Sequence, residues 1–159
     1  MKQEPIRPTD DEARALARRL LANMRHANLG TLDPETGTPL VTRIAVQIDE
    51  SGVPVALLSG LAAHTRALLA DPRAGLLVTD DEAAKGDVMT HARLSVLAQA
   101  EQVPTTAEMR AAWLAQDPKA KVYIDLPDFR FWRLLPQSGL LNGGFGRAFK
   151  LSPADMLRA

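Results

Sequence analysis

Two periods of apolar and polar residues run along this chain, and the switches between them mark its elements. Ala13, Leu16, Ala17, Leu20, Leu21 and Met24 recur at helical spacing, with Arg14, Arg18, Arg19 and Arg25 mostly elsewhere. That pattern predicts an amphipathic helix packed on a core, opened by a Thr9–Glu12 capping box. His26 near its end suits a helix C-terminus, where the dipole favours a cation. From Leu29 the period becomes two. Leu29–Leu32 reads as a short strand, 33–37 as a turn, and 39–48 as a longer strand. On that strand Thr42, Ile44, Val46 and Ile48 face one way; Val41, Arg43, Ala45 and Gln47 face the other, toward solvent or a ligand. Residues 49–52 turn a hairpin into a third strand, 53–59.

Further on, Ala74–Thr79 reads as a fourth strand and Asp80–Gly86 as an acidic loop. Leu94, Val96, Ala98 and Ala100 alternate along a long fifth strand. A second capping box at Thr105 and Glu108 predicts a helix with Met109 and Trp113 on its buried side, ended at Asp117-Pro118, with a helical turn over 119–123. An aromatic strand over 129–134 is expected to turn at 136–139 into a last strand, 140–150. Gly143, Gly144 and Gly146 interrupt it with a bulge, a close backbone approach or a barrel-corner bend. Ser152-Pro153-Ala154-Asp155 begins a final helical turn. The expected fold is mostly β (α+β): a six- to seven-stranded antiparallel barrel, closed or split, with flanking helices, in one domain over 1–159 with 1–8 a loose arm.

One stretch carries candidate chemistry. Between the third and fourth strands, Ser59-Gly60 ends the apolar run and a short helix with Leu61, Leu68 and Leu69 on one side stops at Asp71-Pro72. His64, Thr65 and Arg66 fall in its first turns. Free N–H groups and a positive dipole end, joined by basic side chains and a hydroxyl, suit an anion such as phosphate. The plain alternative is a surface helix with Arg66 solvated.

Composition narrows the classes. Nineteen basic residues balance nineteen acidic ones, so no basic face argues for nucleic acid or a membrane surface. No apolar run is long enough to span a membrane, and no signal core opens the chain, so the expected location is cytoplasmic. Cysteine is absent, which excludes disulfides and thiolate metal sites. His26, His64 and His91 show no metal-ligand spacing. No dinucleotide or Walker-type glycine loop occurs.

The ordered set Gly30-Thr31-Leu32, 39–46, Leu58-Ser59, 64–68 and 71–74 resembles the flavin-binding split barrels related to pyridoxamine 5′-phosphate oxidase. The tail 141–149, with its Gly143-Gly144-Phe145-Gly146, is similar to the heme-utilisation (HugZ-type) branch of that superfamily. The resemblance spans roughly residues 12–157 and implies a homodimer with two flavin mononucleotide (FMN) sites at the subunit interface. It assigns Arg43 to the phosphate and Ile44 and Ala45 to backbone bordering the flavin ring. Leu58 and Ser59 would line the site, and His64 takes the place of a phosphate-binding lysine, followed by Thr65 and Arg66. An imidazole is neutral or partly charged at pH 7, so phosphate binding weakens unless Arg43 and Arg66 compensate.

Two departures bear on function. The sequence lacks the substrate-holding arginine and histidine segment of the true oxidases, and no histidine follows His91 to match the heme ligand of the HugZ-type proteins. Arg93 matches a basic residue lining the heme pocket in that branch. The resemblance thus implies an FMN-dependent oxidoreductase, with catalytic residues and substrate unassigned. The alternatives are a heme-binding or heme-degrading protein, or a dimeric scaffold without cofactor.

Overall fold

The computed structural model describes residues 6–80, 85–144 and 146–158. Eight strands are present among them: β1 (Ile6–Arg7), β2 (His26–Leu32), β3 (Pro39–Ile48), β4 (Pro54–Ser59), β5 (Arg73–Thr79), β6 (Arg93–Val103), β7 (Phe129–Asn142) and β8 (Ala148–Leu151). The helices are α1 (Asp11–Asn23), α2 (Ala63–Ala70), α3 (Ala107–Gln116) and α4 (Pro153–Met156), with 3-10 turns at Val88–Thr90 and Pro118–Val122. Six strands in the order β7-β4-β3-β2-β5-β6 form an antiparallel barrel that closes where β6 pairs back onto β7. β8 extends β7, and β1 pairs in parallel with β8.

The alternation seen in the sequence sets the barrel interior. Ile44, Val46, Ala56, Leu58, Leu76, Val78, Leu94, Val96, Trp132 and Leu134 share one buried core with Ala13, Ala17, Leu20 and Leu21 of α1. The outer face is divided. Over β3, β4 and β7 it is covered by α3 and the following turn, where Trp113, Ala120 and Ile124 bury Val55, Leu57 and Phe131. Trp113 meets Phe131 edge to face at 5.5 Å. Over β2, β5 and β6 the outer face is open. Cross-strand rows there run Arg43–Asn28–Leu77–Ser95–Leu140 and Val41–Gly30–Gly75–Leu97–Ser138. Val41, Leu97 and Leu140 on these rows are exposed.

Several expectations are corrected. Ile6–Arg7 is not a loose arm, because its backbone joins β8; residues 1–5 lie outside the described set. The cap of α1 is Asp10, which accepts from Ala13 N–H, while the Thr9 hydroxyl donates to the Lys150 carbonyl. Likewise α3 is capped by Thr106, not Thr105. His26 opens β2 instead of closing α1. Leu61 and Leu69 are exposed, so α2 buries only Thr65, Ala67 and Leu68.

The turn expected at 136–139 is absent, and β7 runs unbroken for 14 residues. Pro136 is tolerated because β4 pairs only with Phe129–Arg133, leaving no partner for a donor at 136; Gln137 is taken up in a bulge opposite Leu97/Ala98. The glycine segment is the turn between β7 and β8. Gly144 and Gly146 adopt φ of 123° and 70°, a region that side chains disfavour, and Gly143 N–H donates to the Arg147 carbonyl. Part of the acidic loop, 81–84, and Phe145 lie outside the described residues.

Candidate functional site

The barrel is split between β3 and β4. Their pairing runs only from Ile48↔Pro54 to Val46↔Ala56. Beyond that point β3 continues against β2 as far as Leu32↔Pro39, and β4 continues against β7 as far as Ser59↔Phe129. Each strand follows its other neighbour, so the two part, with Thr42–Ala45 on one lip and Leu57–Ser59 on the other. The first turn of α2 bridges the lips. Thr65 Oγ1 donates to the Ser59 carbonyl at 2.6 Å on the β4 side, and His64 Nδ1 meets Thr42 Oγ1 at 2.9 Å on the β3 side.

The sequence candidates divide around this split. Ile44 and Leu58 turn their side chains into the barrel core, so only their backbone borders the opening. Ala45 packs partly buried against the cluster under α3. Thr65 is buried with its hydroxyl committed. Ser59 is committed as well: its hydroxyl donates to Asp128 at 2.6 Å and accepts from Leu61 N–H. Arg43 is exposed on the outer face of β3 and forms no ion pair among the described residues. Arg66 is exposed and lies close enough to Asp33 to help lower that carboxyl's pKa, after the Thr36 and Glu35 amide donors.

His64 is the pivot of the arrangement. It is partly buried, and desolvation lowers its pKa below the ordinary histidine value, so it is neutral at pH 7. The positive end of the α2 dipole acts in the same sense. The α2 N-cap, Ala62, contributes no side-chain hydrogen bond; its carbonyl accepts from Thr65 and Arg66 N–H, so that among the described residues only the Ala63 and His64 amides of the first turn are left for a ligand. Exposed apolar side chains adjoin the split: Val41 on β3 is 68% exposed and Leu61, just before α2, is 85% exposed.

The other candidates lie elsewhere. His91 Nε2 contacts the Lys85 carbonyl at 3.2 Å, and Arg93 donates to the Met89 and His91 carbonyls. Among the described residues no group of three His, Cys, Asp or Glu converges to hold a metal ion, and no helix is long and apolar enough to cross a membrane. A crevice of about 910 Å³ lies between α3 and the β3–β4 hairpin, floored by Val55, Trp113 and Phe131 and edged by the Asp49–Arg133 ion pair. None of the split residues lines it, and the chemistry that the sequence signals lies at the split. Sequence reasoning missed two residues of the split, Thr42 and Asp128. Thr42 falls in the core-facing register, and Asp128 is remote in sequence from Ser59; neither carries a local signal.

The chain belongs to the CREG, beta-barrel family, whose match covers residues 8–157. It is 31% identical over 134 residues to heme oxygenase HutZ of Vibrio cholerae, covering 81% of this chain and 75% of HutZ. It is 34% identical over 115 residues to the chloroplastic non-canonical heme oxygenase HOZ of Arabidopsis thaliana, covering 71% of this chain but only 34% of HOZ. The chain therefore aligns with about a third of HOZ. The solved structure of a heme binding protein from Mycobacterium smegmatis superposes with a TM-score of 0.81 at 32% identity, over 95% of this chain and 61% of that one. A pyridoxinephosphate oxidase family structure from Clostridium acetobutylicum, 14% identical with a TM-score of 0.71 over 93% of this chain and 99% of that one, shares the split-barrel fold. The expected antiparallel barrel is thus present, and the likeness to heme-utilisation proteins expected from the glycine-rich tail is found in HutZ.

Proposed function

We propose that this CREG-family chain is a heme-binding protein of the heme-utilisation type, taking heme at the β3–β4 split. The observation that carries the proposal is the chemistry collected there. An uncapped helix start and the exposed, unpaired Arg43 suit the propionates, and the exposed Val41 and Leu61 suit the apolar macrocycle. The relatives named for heme binding and heme breakdown support the same reading. When bound, heme supplies an iron centre capable of oxygen chemistry. The chain's own residues bind and orient it: Arg43 and Arg66 hold negative charge, and Thr65 and Ser59 fix α2 to the barrel.

FMN is the weaker occupant. Its phosphate would need a cation where His64 stands, and a desolvated neutral imidazole does not provide one. The second part of the proposal is a homodimer through the open face of β2, β5 and β6. Gly30 and Gly75 leave a flat patch between Val41 and Leu97, which are 68% and 60% exposed.

Titration of the purified chain with hemin, and separately with FMN, tests the reading. We expect a saturable Soret band distinct from that of free hemin, and no retention of flavin after gel filtration. Retained FMN together with an unchanged hemin spectrum would reverse the assignment. Sedimentation equilibrium of the wild type and of Leu97→Arg tests the dimer, which the substitution should dissociate.

A further inference from the structure

We infer that His64 Nε2 is the axial ligand of the heme iron, with Thr42 as the positioning residue behind it; this rests on the heme reading above. A histidine that ligates a metal through one ring nitrogen characteristically has the other nitrogen held by a hydrogen bond, which fixes tautomer and ring orientation. That second contact already exists. Nδ1 of His64 lies 2.9 Å from Thr42 Oγ1. With the proton on Nδ1 and the Thr42 hydroxyl accepting, the lone pair of Nε2 is free. A hydroxyl either accepts or donates, so ligation selects this tautomer without moving the threonine.

Nε2 forms no hydrogen bond among the described residues, and the residue is only partly buried. The other described histidines are less suited. His91 has its Nε2 against the Lys85 carbonyl, in an exposed connection rather than on the barrel. His26 is exposed at the start of β2, with an interaction of its own.

The backbone on both sides of His64 is rigidly held. Thr42 is on a strand paired to Leu29 of β2, and the next residue of α2, Thr65, is tied to β4. A ligand on such a frame keeps its direction.

The test compares hemin complexes of the full chain and four variants: His64→Ala, His64→Gln, Thr42→Val and His91→Ala. Circular dichroism and thermal melts check that each variant folds. The readouts are the Soret position and the iron–histidine stretching band of the ferrous complex in resonance Raman spectra. The wild type and His91→Ala should show the band. Both His64 variants should lose it, and added imidazole should restore it in His64→Ala. Thr42→Val should keep the band, shift its frequency and weaken hemin binding about tenfold, as loss of an outer-sphere partner does. A histidine band that persists in both His64 variants overturns the assignment while leaving heme binding intact. A wild-type chain that takes up no hemin overturns the proposed function, and the ligand assignment with it.

Discussion

Thr65→Val should lower the melting temperature by about 3 °C without changing the fold. The side chain is buried, and its hydroxyl donates to the Ser59 carbonyl at 2.6 Å. Valine keeps the shape and removes the donor. The carbonyl is not orphaned, because it also accepts from Ala62 N–H at 3.2 Å. The cost is then that of one neutral buried hydrogen bond, about 1 kcal/mol, rather than a full desolvation penalty. Unfolding entropy of about 2.1 cal/mol/K per residue gives about 0.33 kcal/mol/K for a chain of this length, and hence about 3 °C. Calorimetry gives the shift. Hydrogen exchange should show where it acts, with α2 amides exchanging faster and β5–β6 amides unchanged relative to the global loss. An unchanged melting temperature, or faster exchange spread evenly over the barrel, would refute the view that this bond anchors α2 to the β4 lip.

Gly139→Ala should be more costly, about 1–3 kcal/mol in chemical denaturation, because a Cβ there would stand 2.6 Å from Met156 Sδ and 3.4 Å from Leu151 Cβ in a closed space. Met156→Ala in the same chain should relieve part of that cost, and equal, additive losses would show that the two do not meet. His64 should make stability fall on acidification. Its folded pKa lies below its unfolded value, so the unfolded chain takes up the proton first and stability is lost as pH drops through about 6.5 toward the folded value. Denaturation midpoints at pH 7.5 and 5.5 should therefore differ less in His64→Gln than in the wild type.

Much of the barrel was legible because inward and outward positions alternate without interruption. Thr42–Ile48 and Leu94–Ala100 each show the period of two, and the core contains the residues that this period selects. Helices α1 and α3 were legible from their apolar spacing, but their caps shifted by one residue, from Thr9 to Asp10 and from Thr105 to Thr106. Adjacent residues able to cap compete, and tertiary contacts decide: the Thr9 hydroxyl is drawn away to Lys150. The false turn at 136–139 arose from reading proline and glycine locally. Pro136 meets no donor requirement on its open side, and Gly139 is needed for Met156 and not for a turn. The candidate residues were named on three short stretches, 43–45, 58–59 and 64–66, mostly through the family resemblance. What joins them, the parting of β3 from β4 and the Thr42–His64 contact, depends on pairings between strands that no local pattern records.

The split and the helix that spans it are better understood as one device. Eight residues are too few for a stable helix in isolation, so α2 exists because the barrel holds it. It is held at both lips, through Thr65 on β4 and His64 on β3, and these are consecutive residues. A ligand bound to the outer nitrogen of His64 therefore acts on the same residue that fastens the β3 lip. Binding at that nitrogen stabilises the tautomer that donates to Thr42, and so strengthens closure of the split. The coupling is reciprocal: a variant that loosens α2 from β4, such as Thr65→Val, should weaken ligand binding, because the Thr65 hydroxyl is what ties α2 to the Ser59 carbonyl. Attachment of the β3 lip and of the β4 lip thus rests on the same turn of helix.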